Sequence, residues 1–278
     1  MINDKAVGKW VNHLEQIVGN AAKTIANKHG FLYAVMASLA AAGTIPTNPC
    51  ENTNLPRVDQ AEMVFLEEDE FDALIHEIPK RWRIFVKFLV ASGARFGEVS
   101  ALQVGDIDRK RNTGRIRRAW KYTGGERVIG RPKTKRSNRT IDLAAELIAE
   151  LPLAGRPREA WLFTNDSGGP VHITTFYKQV WAPAIERLLA AAGDPLDGKK
   201  PRIHDLRHTC ASWMLCDNVP LHVVQRHLGH ESITTTSDRY GHLDRRSGAV
   251  AAAVIGAKLS HGPKPKPALA VVEGRGAA

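Results

Sequence analysis

Residues 109–143 read RKRNTGRIRRAWKYTGGERVIGRPKTKRSNRTIDL, and the reading of this stretch decides the fold. On both sides of it, apolar residues recur at spacings of three and four, the period of a helix with one buried face. Here the period changes. RIRRAWKY (115–122) and RVIG (127–130) are short extended segments separated by TGGE (123–126). RTIDL (139–143) is a third, after the Lys-rich turn RPKTKRSN (131–138). Paired glycines between two such runs are a hairpin signal. The expected fold class is mainly α with a small antiparallel β-sheet.

The same stretch carries the charge. Residues 109–139 hold 13 Lys or Arg against one acid, Glu126, whereas the whole chain has a net charge of +10. The remainder is therefore slightly acidic, and all the excess positive charge is local. A solvated, salt-bridged face would need acids that are nearly absent here, and Trp120 and Tyr122 are interleaved with the bases. A polyanion such as DNA suits this surface better. The expected DNA contacts are Arg115, Arg117, Arg118, Lys121, Arg131, Arg136 and Arg139.

Upstream, DKAVGKWVNHLEQIV (4–18) places Val7, Trp10, Val11, Leu14 and Val18 on one helical face. A longer helix follows and stops near Gly43 and Pro46. Proline- and asparagine-rich sequence then makes a linker. LEEDEFDALIHEIP (66–79), RWRIFVKFLVASG (81–93) and GEVSALQ (97–103) read as helices. Downstream come LAAELIAELP (143–152), TTFYKQVWAPAIERLLAAAG (174–193) with a kink expected at Pro183, IHDLRHTCASWMLCD (203–217) and PLHVVQRHL (220–228). A last helix is expected at about 247–259, then a Pro/Lys/Gly-rich tail. Cys50, Cys210 and Cys216 lack CxxC spacing, which argues against a disulfide framework or a cysteine zinc site. No apolar run reaches the roughly eighteen residues of a membrane span, and the charged N-terminus is not a signal peptide.

Five local features carry chemistry. Arg95 sits between Gly93 and Gly97 at a helix junction, where an Arg is commonly a cap or a partner of Glu98. Lys133 and Lys135 lie on a turn, as surface lysines usually do. HDLRH holds His204, Arg207 and His208, LGH ends in His230, and ITTTSDRYGH (233–242) contains Tyr240. The His204–His208 spacing matches that of a zinc-binding HExxH helix. However, Asp205 stands where the Glu would be, and Arg207 adds a fixed cation that repels a dication. A satisfied core histidine is the plainer reading of His208. Taken together, two Arg, a Lys, two His and a Tyr suit metal-free phosphoryl transfer. Guanidinium groups grip phosphate oxygens and offset transition-state charge. A tyrosine oxygen attacks phosphorus, and a Lys protonates the leaving oxygen.

The ordered set ARFGE, PKTK, HDLRHT and LGHESITTTSDRYGH resembles the tyrosine recombinases, in particular the phage integrases. The resemblance covers roughly residues 62–250. It implies a catalytic domain at 62–260, preceded by a partial helical core-DNA-binding domain (1–50) and a linker (51–61), and followed by a disordered tail (261–278). The N-terminus looks short, without the earlier helices of that domain or an arm-binding domain. By resemblance, Tyr240 is the nucleophile of a 3′-phosphotyrosine intermediate. Arg95, His204, Arg207 and His230 hold the phosphate, Glu98 accompanies Arg95, and Lys133 is the general acid, with Lys135 a close alternative. No other tyrosine competes, and the polar run before Tyr240 looks like a flexible segment that delivers it. The family needs no cofactor and no metal. It implies double-stranded DNA attachment sites, a homotetramer on two duplexes and a bacterial cytoplasmic, nucleoid-associated location. A DNA-bending host factor and a directionality factor are candidate further partners. The last helix would dock on a neighbouring subunit or pack on its own domain. The terminal Ala-Ala resembles a degradation signal. Rival readings are a type IB topoisomerase-like enzyme and a non-catalytic DNA-binding regulator.

Overall fold

A computed structural model describes residues 2–58, 63–130, 138–240 and Ile255. The general-acid candidates Lys133 and Lys135, the bases Arg131 and Arg136 and the C-terminal tail lie outside the described residues. So does the expected last helix, apart from Ile255. The chain divides into two compact units, Met1–Glu62 and Met63–Ala278.

In the first unit, α1 (Asp4–Gln16) starts at Asn3, whose side chain accepts from the Ala6 amide at 2.9 Å. This satisfies one of the amides that a helix start leaves without partners. Its buried stripe is Val7, Val11 and Leu14. It packs on α2 (Ala22–Ala41) through Ile25 and Met36. Val18, expected on the same stripe, falls beyond the end of α1 and is exposed.

The second unit is mainly helical. Glu67 opens α3 (Glu68–Glu77), and its amide donates to Glu70 at 2.7 Å. Next come α4 (Lys80–Ser92) and the single turn α5 (Phe96–Val99). Phe85 of α4 packs edge-to-face with Phe96, Phe163 and Phe176 at centroid distances of 5.1–5.3 Å, the arrangement aromatic quadrupoles favour. A short 3₁₀ turn leads into β1 (Ile107–Asp108), β2 (Thr113–Ile116), β3 (Ala119–Thr123), β4 (Glu126–Gly130) and β5 (Arg139–Asp142).

These strands form two antiparallel sheets, not the single small sheet expected. One has the order β1-β2-β5, with Gly114 opposite Ile141 and Ile116 opposite Arg139. The other is the β3-β4 hairpin, turned by Gly124 and Gly125 at φ +61° and +84°. The expected strand 115–122 breaks after the buried Ile116 because Arg117 and Arg118 both swing onto Asp106. Arg117 Nε lies 2.7 Å from its carboxylate, and Arg118 contacts the other oxygen.

Beyond α6 (Ala145–Glu150), α7 (Ile173–Phe176) runs through a π-helical segment, Tyr177–Trp181, into α8 (Ala182–Ala190). Pro183 sits just after this segment. A π turn is one way for a helix to absorb the hydrogen bond that a proline cannot make. Finally, α9 (Asp205–Cys216), α10 (Leu221–Leu228) and α11 (Ile233–Tyr240) carry the C-terminal motifs. α9 is buried on almost every side from Asp205 to Ser212, as a helix through the centre of a unit must be. Stretches polar enough to read as a flexible segment (233–240) therefore form a helix.

Candidate active site

Arg207 is the centre of the site. It is 3% exposed, on the first turns of α9. Its Nη1 donates to the carbonyls of Gly93 at 2.6 Å and Leu228 at 2.7 Å. Those carbonyls end α4 and α10. Helix C-termini leave carbonyls unpaired and carry partial negative charge, so two of them converge on one buried cation. Burial first, then Arg95 and Arg139, pull its pKa down to about 9, which still leaves it charged at neutral pH. Its buried Nη2 has no hydrogen-bond partner among the described residues. A buried donor left over in this way suits a ligand oxygen.

Both helix ends turn on glycine. Gly93 caps α4 at φ +54°, and a Cβ there would lie 2.5 Å from Leu228 Cδ2 and 3.0 Å from Cys210 Sγ. Gly229 caps α10 at φ +71°, where a Cβ would lie 2.9 Å from Arg139 Cδ. Left-handed backbone and close approach coincide at each position. Gly93→Ala is therefore expected to cost about 2–4 kcal/mol, a Tm drop of roughly 5–15 °C in a thermal melt.

Beside Arg207 lies a chain of charge. Glu98, 2% exposed, receives Arg95 Nη1 at 2.9 Å and Arg139 Nη1 at 3.2 Å. Arg139 also donates through Nε to the His227 carbonyl at 2.7 Å. Two guanidiniums, Arg95 and Arg139, share this one carboxylate and Arg207 adds a third cation beside them, so the pocket keeps a net positive charge. Arg139 was expected on the DNA-facing surface. At 8% exposed it is instead part of the floor under Arg95 and Gly229. Arg117 and Arg118 are spoken for by Asp106, while Arg115 and Lys121 are exposed.

His230 follows Gly229. Its Nδ1 pairs with the buried Thr236 Oγ1 at 2.9 Å, which ties α10 to α11. Burial, then Arg207 and Arg95, push its pKa down to about 3, so it is neutral at working pH. An open cleft of about 450 Å³ runs beside it, lined in part by Arg139, His222 and Arg226. Tyr240 ends α11 and is 1% exposed. Its ring stacks on His230 at 5° with centroids 6.3 Å apart. Burial raises its pKa to about 12, against the opposing pull of Arg207 and Arg239.

The Tyr240 hydroxyl lies 2.6 Å from His208 Nδ1. His208 was expected to be a core histidine. It is buried, but it faces the one tyrosine with a candidate role. The sequence shows the one-turn spacing of His204 and His208, and the rings meet edge-on at 5.3 Å. Nothing in that spacing points to a partner 32 residues away. His204 itself is exposed at the N-cap of α9. Among the described residues, no group of three or more His, Cys, Asp or Glu is placed to hold a metal ion.

A profile of the phage integrase family matches residues 64–246, about two thirds of the chain. The chain belongs to the phage integrase family. This integrase is thus an enzyme of the tyrosine recombinase class, which carries out site-specific DNA recombination. It is 27% identical over 251 residues to the ICEBs1 integrase of Bacillus subtilis, covering 87% of this chain and 67% of that one. It is 29% identical over 216 residues to the integrase of Mycobacterium phage L5, covering 74% of this chain and 56% of that one. The Tn1549 transposon integrase, solved in complex with transposon right end DNA, shares the fold. The TM-score is 0.79 at 18% identity, over 92% of this chain and 86% of that one. Among the described residues of this integrase, no helix is long and apolar enough to cross a membrane.

Proposed function

We propose that this integrase cuts and rejoins double-stranded DNA at attachment sites, with Tyr240 as its nucleophile, and that it moves a phage or related mobile element into a chromosome. Arg95, His204, Arg207 and His230 hold the scissile phosphate. Lys133 or Lys135 protonates the departing 5′ oxygen. The bond energy is kept in a 3′-phosphotyrosine and returned when a partner strand's 5′-hydroxyl attacks, so no external energy source is spent. The working assembly is a homotetramer on two duplexes in the bacterial cytoplasm, at the nucleoid. A bending protein and a directionality factor set the outcome.

The observation that carries this reading is convergence. Residues 95, 207, 230 and 240, distant in sequence, meet around one positively charged pocket that contains the tyrosine. Arginines in such a pocket stabilise an in-line phosphoryl transition state by fixed charge. The test uses nicked suicide duplexes tiled across the DNA that flanks the protein's own coding sequence. Wild type should leave a covalent protein–DNA band on the duplex that holds its site. Tyr240→Phe should bind the same duplex and leave none, a loss limited only by detection. A band with the phenylalanine variant would remove Tyr240 from the role.

A further inference from the structure

We propose that Trp120, held by Arg127, is a positioning residue: it sets the β3-β4 hairpin, and with it the general acid on the chain after β4, against the α5 turn that Arg95 opens. This rests on the reading of Lys133 or Lys135 as that acid. The hairpin needs such an anchor. Among the described residues, β3 and β4 pair with each other, while β1, β2 and β5 form the other sheet. A lone two-stranded hairpin is marginal in water unless it packs on something.

One face of the hairpin supplies the anchor. The register sets Trp120 opposite Ile129 and Tyr122 opposite Arg127, so Trp120 and Arg127 are diagonal neighbours on that face. Trp120 Nε1 donates to the carbonyl of Ser100, at the end of α5, at 3.1 Å. Arg127 Cζ stands 3.9 Å from the centroid of the Trp120 ring, and its Nη2 donates to the Val171 carbonyl at 2.8 Å. A planar guanidinium can stack on a ring and donate at its edge at once. Trp161 packs beside the same ring, with centroids 5.5 Å apart. The backbones also meet: a Cβ on Gly97 would lie 3.2 Å from the Trp120 carbonyl oxygen. Set among bases, Trp120 reads in sequence as part of the DNA-facing surface. Its N–H and its ring are instead engaged within the protein.

The consequence for the chemistry is one of reach. β4 ends at Gly130, and Lys133 and Lys135 follow by three and five residues. At no more than about 3.6 Å per residue, their backbones stay within roughly 11 and 18 Å of Gly130 whatever path the chain takes. On the far side, Arg139 opens β5 and is tied to Glu98 at 3.2 Å and to the His227 carbonyl at 2.7 Å. Both ends of the lysine-bearing chain are thus moored to α5, one through Glu98 and the other through Trp120. Loosening the Trp120 mooring shifts the acid and leaves the arginines in place. A misplacement of about 1 Å can cost on the order of 10²-fold in rate.

The test measures covalent-complex formation on the duplex that wild type cleaves, and on the same duplex with sulfur replacing the bridging 5′ oxygen of the scissile phosphate. A thiol ionises near about pH 8.5, so sulfur departs as thiolate and keeps the electron pair of the broken P–S bond without a proton donor, whereas the oxygen needs the general acid. Trp120→Ala should cleave the oxygen duplex about 10–10²-fold more slowly than wild type, and the sulfur duplex within about threefold of it. Trp120→Phe keeps a ring under Arg127 but loses the N–H, and should fall between alanine and wild type on oxygen. Equal losses on the two duplexes would overturn the proposal, since they mark a general loss of structure or DNA binding. So would an oxygen rate within about threefold of wild type. If Trp120→Ala fails to fold, Arg127→Met loosens the same clamp from a half-buried position and is read by the same comparison. Lys133→Ala and Lys135→Ala keep the two readings apart: one of them must lose rate on oxygen and recover it on sulfur. If neither does, the general-acid assignment falls and the proposal falls with it. If one does and the clamp variants do not, the clamp alone falls.

Discussion

Arg207→Lys is expected to lower covalent-complex formation by about 10³-fold or more while leaving the protein folded. The argument runs from geometry. Arg207 Nη1 is consumed by two helix-end carbonyls, Gly93 and Leu228, and Nη2 is the donor left over. A lysine ammonium has the charge but a single nitrogen. It can answer the carbonyls or a phosphate oxygen, but it lacks the fork that does both. Retained charge should keep DNA affinity within a few fold, so the loss falls on the chemical step.

Arg207→Ala separates the structural part. Two buried carbonyls would lose their donor, at about 1–3 kcal/mol each. Some of that is recovered, because the guanidinium is buried at a cost and Arg95 and Arg139 repel it. The alanine variant should melt lower than the lysine variant, yet the two should be similarly poor at cleavage. Equal cleavage by Arg207→Lys and wild type would show that the second nitrogen has no task.

The contrast between these residues and the basic stretch shows what one-dimensional pattern can reveal. The β3-β4 hairpin was legible because its determinants are local: two glycines able to take positive φ, flanked by β-prone residues. The order of the catalytic motifs was legible because spacing along the chain is what a motif records. Burial was not. Arg115 and Arg139 look alike as letters, but β5 carries Arg139 under the end of α10, where Glu98 waits 41 residues away in sequence. Arg117 and Arg118 looked like free charge until Asp106 was brought under both. The run ITTTSD has weak helix propensity and reads as flexible. It is helical because Thr236 is fully buried against His230 and Tyr240 docks between two histidines, contacts that override the local preference. His208 was the residue overlooked, since an apolar helix makes a buried histidine look like filler until its partner on another helix is placed.

Glu98→Ala is expected to destabilise the folded protein by about 3–5 kcal/mol, a Tm drop of roughly 6–20 °C for a domain of this size. Glu98 neutralises Arg95 and the buried Arg139, and removing it leaves positive charge in a pocket that already holds Arg207. A broken buried pair costs more than the pair contributes, because the surviving charge stays desolvated. The sign of the rescue is the informative part. An anion that binds only the folded state stabilises it by mass action, and the variant's pocket attracts anions more strongly than wild type's. Raising inorganic phosphate at constant ionic strength should therefore narrow the Tm gap between variant and wild type, and specific DNA should narrow it further. Cleavage should still fall, because Arg95 loses the carboxylate that aims it and its backbone amide loses the same partner at 3.1 Å. A Tm gap that stays constant as phosphate rises would mean that the pocket does not concentrate phosphate, and the assignment of Arg95 and Arg207 to the scissile phosphate would fall with it.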